Sequence, residues 1–292
     1  MNIRSIFLTL VASAFLFTAS AQNLGYGFKV GLNFATFQGD EDTDANGDSF
    51  ETFNRSTGFN IGAGVIYRVT DRFGVKLDFL FSQKGTKQSL DGQGVQYFYQ
   101  TTGDKIPFEG QRNSFLRITN SYIDLPLTGY AKFDKIEFSG GMYVGFLVAS
   151  KGVGDVTYSG DALLSGDLTG NFEYNYLKDE VPDPTTWAAG NDFSEINIDN
   201  TEALYPINVG AYHDFDTNEE DYFSRVDVGL NVGLAYYFNK GLFFSLNLNY
   251  GLLDVTNNLY DISYSARDGN GFKKRNDKDN NLTIQANVGF NL

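Results

Sequence analysis

Few residues in this chain have the types and spacing that chemistry requires. The single histidine, His213, is followed directly by Asp214, and an imidazole beside a carboxylate is the base half of a hydrolase or acyltransferase site. Such a base needs a positioned nucleophile, and no Gly-x-Ser-x-Gly motif occurs in the chain. The residues therefore predict a solvent-exposed polar pair, with an enzyme using His213 as the competing reading. A second constellation runs from Asp42 to Asp48. Asp42, Asp44 and Asn46 stand at positions 1, 3 and 5 of a calcium-loop pattern, Gly47 at position 6, and Asp48 adds a further acid. The glutamate expected at position 12 is replaced by Phe53, with Glu51 two residues early. The segment is either a weak Ca2+ loop, in the range of about 10⁻⁴–10⁻³ M, or a solvated acidic loop. A third set comprises Lys29, Arg68, Lys76, Asp78, Asp124, Glu137, Arg225 and Asp227, with Lys132 beside them. These fall on the polar face of alternating segments, as a charged path or as a salt-bridged packing network. The composition removes other chemistries. There is no cysteine, and 36 acidic against 22 basic residues give a net charge of −14. Thiol chemistry, cysteine-ligated zinc and general nucleic-acid binding are excluded.

The segments that carry these residues share one period. From Tyr26 every second residue is apolar, through Phe28, Val30, Leu32 and Phe34, the alternation of a strand with two unlike faces. The pattern returns at 59–69, 73–81, 123–133, 136–148, 226–238, 242–252 and 282–292. Short turns join the second strand to the third, the fourth to the fifth and the sixth to the seventh. The other connections, 38–55, 87–118, 152–224 and 255–281, are long. Eight antiparallel strands with short turns at one end and long loops at the other are the layout of an outer-membrane β-barrel, with periplasmic turns and external loops.

Alternation alone leaves open which face points inward, and a soluble barrel holding a small apolar ligand has the same period. Three features favour the inverted arrangement. The polar face is rich in small residues, among them Gly31, Gly62, Gly64, Gly141, Gly145, Gly229 and Gly233. An eight-stranded barrel has an interior only just wide enough for its side chains. The other face is uniformly bulky, and its aromatics gather at strand ends as two girdles, such as Tyr26, Phe73 and Tyr236 at one level and Phe34, Phe79 and Phe146 at the other. In so narrow a lumen, buried charges must pair, so the network reading outweighs the channel. Pro126 breaks the strand rules, and a local bulge there is the expected remedy.

Residues 1–21 read as a cleaved signal peptide. Arg4 supplies the positive end, 6–17 the apolar run, and Ala19-Ser20-Ala21 the small-residue cleavage site. Residues 22–292 then form a single barrel domain, with 152–224 a long acidic external loop of 16 acids and one base, Lys178. Its many aromatics, Tyr158, Phe172, Tyr174, Tyr176, Trp187 and Tyr205 among them, are unlike a disordered acidic tail. It is read as a solvated shield over the barrel mouth, or else as extra strands or a ligand-contacting surface.

Two segments add a resemblance. Phe28-Lys29-Val30-Gly31-Leu32-Asn33, and Tyr122-Ile123-Asp124-Leu125-Pro126-Leu127 in mid-chain, resemble the PorT-like outer-membrane β-barrel family common in Bacteroidetes. Asp124 stands where that family carries a glutamate. The resemblance implies the barrel fold and the outer membrane; it implies no activity. The expectation is a non-catalytic protein with a structural or surface-interaction role. Its partners are outer-membrane lipid and an external or periplasmic protein, not nucleic acid.

Overall fold

The computed structural model describes residues 23–44 and 46–292; residues 1–21, read above as a signal peptide, lie outside them. The described residues form fourteen strands. They are β1 (Leu24–Gln38), β2 (Glu51–Arg68), β3 (Phe73–Tyr99), β4 (Lys105–Phe133), β5 (Ile136–Ser159), β6 (Leu168–Asn175) and β7 (Phe193–Ile198). After these come β8 (Thr201–Pro206), β9 (Asn208–Val209), β10 (Val226–Tyr237), β11 (Leu242–Gly251), β12 (Ile262–Asp268), β13 (Gly271–Lys274) and β14 (Asn280–Asn291).

Eight of them pair in a ring, each antiparallel to its neighbours, in the order β1, β2, β3, β4, β5, β10, β11, β14. Strand β14 returns beside β1, from Gly27 opposite Asn291 to Gln38 opposite Asn280. These are the eight alternating segments of the sequence, joined by the expected short turns. In the tightest, between β4 and β5, Asp134 takes a φ of 54°, the left-handed conformation that two-residue hairpin turns demand.

Polarity in the ring is inverted. Tyr26, Phe28, Val30 and Leu32 on β1, Phe73 to Phe79 on alternate positions of β3, and Leu230, Val232 and Leu234 on β10 are all exposed. Asn33, Asn60, Ser82, Thr128, Asn231, Thr283 and Asn287 are buried in the interior. Bulky apolar residues outside and small polar residues inside match a wall facing lipid. Two inward glycines show why the small residues are needed: a Cβ on Gly64 would overlap the Asp78 carboxylate, and one on Gly145 that of Asp124.

The connections depart from expectation. Strands β3, β4 and β5 run for 27, 29 and 24 residues, well past the roughly 9–11 that cross the hydrocarbon. Segment 87–118 is thus a continuous hairpin, with Tyr99 opposite Lys105. Segment 152–224 is no solvated shield. It continues β5, adds β6 along it from Lys151 opposite Asn175 to Tyr158 opposite Leu168, and contributes β7, β8 and β9. Segment 255–281 supplies the β12–β13 hairpin. Together these form an external head. The bulge expected at Pro126 is also displaced. Register on either side of Pro126 is unchanged, with Leu77 opposite Leu127 and Leu80 opposite Asp124, and the ladder simply opens between them. The register shift falls between Ser121 and Tyr122, against β5.

The head has conventional polarity. Phe98, Phe108, Val156, Tyr158, Phe172, Tyr176, Tyr205, Tyr212, Phe223 and Tyr260 are buried in one cluster. Phe98 meets Phe108, Tyr158 and Tyr205 at ring-centroid distances of 5.7, 5.4 and 5.3 Å, within the spacing of favourable aromatic pairs.

Candidate functional site

The interior of the ring holds the expected charge network, built on residues that point inward from alternate positions. At its upper level Lys84 of β3 lies fully buried between two aspartates, its Nζ 3.0 Å from Asp124 Oδ1 and 3.1 Å from Asp227 Oδ2. Asp227 also accepts from the Tyr143 hydroxyl at 3.0 Å and the Asn281 amide at 3.0 Å. The rings of Tyr122 and Tyr143 flank the ammonium, with centroids 4.8 and 4.3 Å away. At the lower level Lys29 pairs with Asp78 at 2.8 Å, and Lys76 pairs with Glu137. The Tyr237 hydroxyl donates to Glu137 at 2.9 Å and accepts from Asn291 at 2.9 Å. Lys132 sits 3.4 Å from the centroid of the Tyr237 ring.

Two of the eight residues expected in this network lie outside it. Arg68 is exposed because it is the last residue of β2, where the ring ends. Arg225 comes just before β10 and pairs outside the lumen with Asp221, its Nη2 2.6 Å from Oδ1. Lys84 is the residue that sequence reading missed. Its signal was parity: Lys76, Asp78, Leu80, Ser82 and Lys84 share one face of β3, beyond the last bulky apolar position, Phe81.

The lumen is filled. Between Lys29, Lys76, Asp78, Thr128, Glu137 and Ser139 there remains a cavity of about 50 Å³, room for a few waters at about 10–15 Å³ each. Such a space can hold solvent between the ion pairs.

In the head, the His213–Asp214 pair is not a dyad. His213 is buried, not solvent-exposed, and stacks on Trp187 at 5.9 Å and 8° between planes. Tyr99 and Tyr205 present their edges to it. Burial holds its imidazole below the ordinary histidine range, against the opposing charge of Asp214. Asp214 turns away, accepting from Gln96 Nε2 at 2.6 Å and from the Tyr264 hydroxyl at 2.9 Å. Gln96 in turn accepts from buried Arg112 at 2.9 Å and from the Tyr158 hydroxyl at 2.9 Å. The guanidinium of Arg112 lies 3.8 Å from the Tyr264 ring centroid. The Asp214, Gln96 and Arg112 chain is a buried polar strut through an aromatic core, with no nucleophile placed on the imidazole.

Where head meets barrel, a second polar knot forms. Arg275 binds Glu51, at 2.6 Å, and Asp277, at 2.6 Å, with Asp261 at 3.7 Å. Burial pushes Asp279 up to about 6, opposed by the Thr256 hydroxyl and reinforced by Asp277 and Glu51. Burial also raises Asp261, with Asp277 beside it adding to the effect.

The residues of the calcium pattern do not converge on one point: Asp42 is held by β12, and Asn46 and Asp48 bond to Asp44. Asp42 accepts from Ser263 Oγ at 2.8 Å and Ser265 Oγ at 3.2 Å. Asp44 closes its own turn, accepting from the backbone N–H of Asn46 at 2.8 Å and of Asp48 at 2.9 Å, and the Asn46 side chain adds a further bond to it at 3.2 Å. Among the described residues no group of three or more His, Cys, Asp or Glu side chains is gathered as a metal site.

An inverted ring with a filled polar lumen and an apolar outer belt defines an outer-membrane β-barrel protein. The chain belongs to the outer membrane protein beta-barrel domain family, which matches residues 20–257. It is therefore an integral protein of the outer membrane, and the soluble, ligand-binding barrel is set aside. Among solved structures the chain is similar to Ail, the attachment invasion locus protein of Yersinia pestis, solved with the heparin analogue sucrose octasulfate. That likeness has 10% identity and a TM-score of 0.34, over 92% of this chain and 99% of that one. It is similar also to the outer membrane protein OprG of Pseudomonas aeruginosa, with 12% identity, a TM-score of 0.32, and 91% and 95% covered. Neisserial surface protein A gives 7% identity, a TM-score of 0.29, and 91% and 96% covered. Among curated proteins none matches. The assignment rests on the family match.

Proposed function

We propose that this chain is a closed, eight-stranded, non-conducting barrel of the PorT-like kind, whose work is done by its external head. On this reading residues 1–21 are a signal peptide removed during export, and the barrel anchors the head without carrying substrate or catalysing a reaction. The observation that carries the proposal is the contrast in filling. The lumen is plugged by Lys84, Asp124 and Asp227 at one level and by Lys76 and Glu137 at another. The residues beyond the bilayer, by contrast, build an aromatic core that meets the lumen at Tyr122. A chain that spends its longest strands on a rigid external body is suited to a structural or surface-interaction role with an external protein.

The test is electrical. Refolded into planar bilayers, the protein is expected to give no steady conductance, and unboiled samples to migrate apart from boiled ones in detergent gels, since closed barrels keep every ladder bond internal. A well-defined open channel overturns the proposal.

A further inference from the structure

The tip of the head carries a pocket of about 240 Å³. Three parts of the chain converge on it: the closed end of the β3–β4 hairpin, the segment after His213, and the β12–β13 hairpin with its approach. Tyr97 and Lys105 come from the first, where Tyr99 lies opposite Lys105 and Tyr97 stands two residues back on the same face. Phe215 and Asp216 come from the second, and Tyr260, Phe272 and Lys274 from the third. The walls are aromatic. Tyr97 meets Phe272 edge to face at 5.0 Å, and Phe215 meets Tyr260 in the same way at 5.0 Å. Tyr97, Phe215 and Tyr260 are buried and Phe272 is half-buried. The Tyr97 hydroxyl is a buried polar atom in this wall that finds no partner among the described residues.

The polar groups of the pocket balance in sign and are already engaged. Lys105 pairs with exposed Asp216, its Nζ 2.6 Å from Oδ1. Lys274 donates to the Leu259 carbonyl, and Asp214 accepts from Gln96 and Tyr264. Two lysines and two aspartates leave no net charge in the lining. Each retains capacity, because an ammonium carries three donors and a carboxylate about four lone-pair sites.

We propose that this pocket binds one neutral sugar unit, a pyranose. The lining selects that chemistry by elimination. A purely apolar ligand would cover the rings and leave the polar groups dry and short of partners. An anion would meet two carboxylates, and a cation two ammoniums. A zwitterion such as an amino acid needs a free partner of each sign and would compete with the Lys105–Asp216 pair. A hydroxyl both donates and accepts, so it joins that pair without breaking it. The C–H faces of a pyranose then lie against the aromatic walls, which supply most of the contact area in sites of this kind. Size sets the limit. Pockets for drug-sized ligands run to about 300–1,000 Å³, so this one takes a single unit. The proposal rests on the reading of the head as the working part. Conductance bears on the lumen alone, so the two ideas fail separately.

The experiment uses the full chain in phosphatidylcholine nanodiscs, free of sugar-based detergent, and saturation-transfer NMR. The probes are the methyl glycosides of glucose, galactose and N-acetylglucosamine, with cyclohexanol and phenylalanine as apolar and zwitterionic comparisons. One glycoside at least is expected to receive magnetisation on its ring C–H protons, with a dissociation constant of about 1–10 mM. Phe272→Ala removes a wall and should weaken binding about tenfold. Lys105→Gln and Lys274→Gln should each weaken it about threefold. Lys178→Gln, exposed elsewhere on the head, should change nothing. Gel mobility and protease resistance of 152–224 confirm that each variant is folded, and the comparison among probes needs no variant. A trisaccharide ending in the bound unit separates the two sources: binding assigns the pocket to the end of a glycan, and exclusion assigns it to the free sugar. Silence from all three glycosides overturns the proposal. So does equal binding of cyclohexanol, preference for phenylalanine, or undiminished binding in Phe272→Ala and in the double lysine variant.

Discussion

The barrel and the head are made from the same strands and obey opposite rules. Within β3, Phe79 is 59% exposed, whereas Phe98, nineteen residues further along the same strand, is 0% exposed. The pleat turns Phe79 outward and Phe98 inward, and the surroundings decide which of those faces takes the bulky residue. Beside lipid, a bulky apolar side chain costs nothing on the outside, and the narrow interior takes glycine, asparagine and paired charges. Above the lipid, water restores the usual preference, and tyrosine and phenylalanine turn inward onto one another. The sequence period is 2 in both regions, and the change of solvent reverses which residue types take the buried face.

The contrast predicts that the two regions fail independently. The largest effect is expected from Asp227→Ala. It leaves Lys84 with one of its two carboxylates, and frees the Tyr143 hydroxyl and the Asn281 amide from theirs. Removing one member of a buried ion pair costs about 3–5 kcal/mol, so the barrel's unfolding midpoint in urea, followed by gel mobility, should fall sharply. Phe98→Ala should cost a similar or slightly smaller amount, about 3–5 kcal/mol by the usual range for buried aromatics, but in the head. Protease should then cut 152–224 faster while barrel mobility stays native. Loss of barrel mobility in that variant would show that the two regions fold as one unit.

Much of this division was legible in the residues. All eight ring strands followed from alternation, and the inversion of the barrel followed from glycines facing away from phenylalanines. The head was harder to read. Beyond Phe81 the bulky residues of β3 fall on both faces, Leu90 and Phe98 inward and Val95, Tyr97 and Tyr99 on the face of Phe81, and all are buried. Leu80 and Lys84 continue the inward set that leads to Phe98, so a search for an outward apolar stripe stops at the lipid boundary. Arg275 carries no signal in the sequence, and only the approach of Glu51, 224 residues away, makes it the centre of a knot. His213 looked polar for the same reason: its aromatic neighbours come from β3, β8 and the segment around Trp187.

A smaller effect is expected from pH, and it too should appear in the head alone. A carboxylate raised in the folded state binds its proton more tightly there than in the unfolded chain, so stability rises as pH falls. For Asp279 the window runs from about 6 down toward the ordinary value of 3.8, and Asp261 adds to it at higher pH. Hydrogen-exchange protection in β12 and β13, taken relative to the intrinsic amide rate at each pH, should therefore be greater at pH 5 than at pH 7.5, with Asp279→Asn reducing the difference. Lower protection at pH 5 would contradict the assignment. The smallest effect is expected from calcium. With Asp42 held by Ser263 and Ser265, and Asp44 by its own turn, millimolar calcium should give the same heat for native protein and Asp44→Ala. Heat lost in the variant would restore a calcium role to 42–48.

The reversal of polarity itself is open to one direct measurement. Trp187 is the only tryptophan and lies in the head, stacked on His213 and on Phe193 at 5.0 Å. In vesicles made with brominated lipid its fluorescence should match that in ordinary lipid. In a Trp187→Phe background, Val232→Trp places the indole on the outward face of β10, where Val232 is 53% exposed, and its emission should be strongly quenched. Quenching of Trp187, or an unquenched indole at position 232, would contradict a barrel that turns its apolar face to lipid and a head that turns it inward.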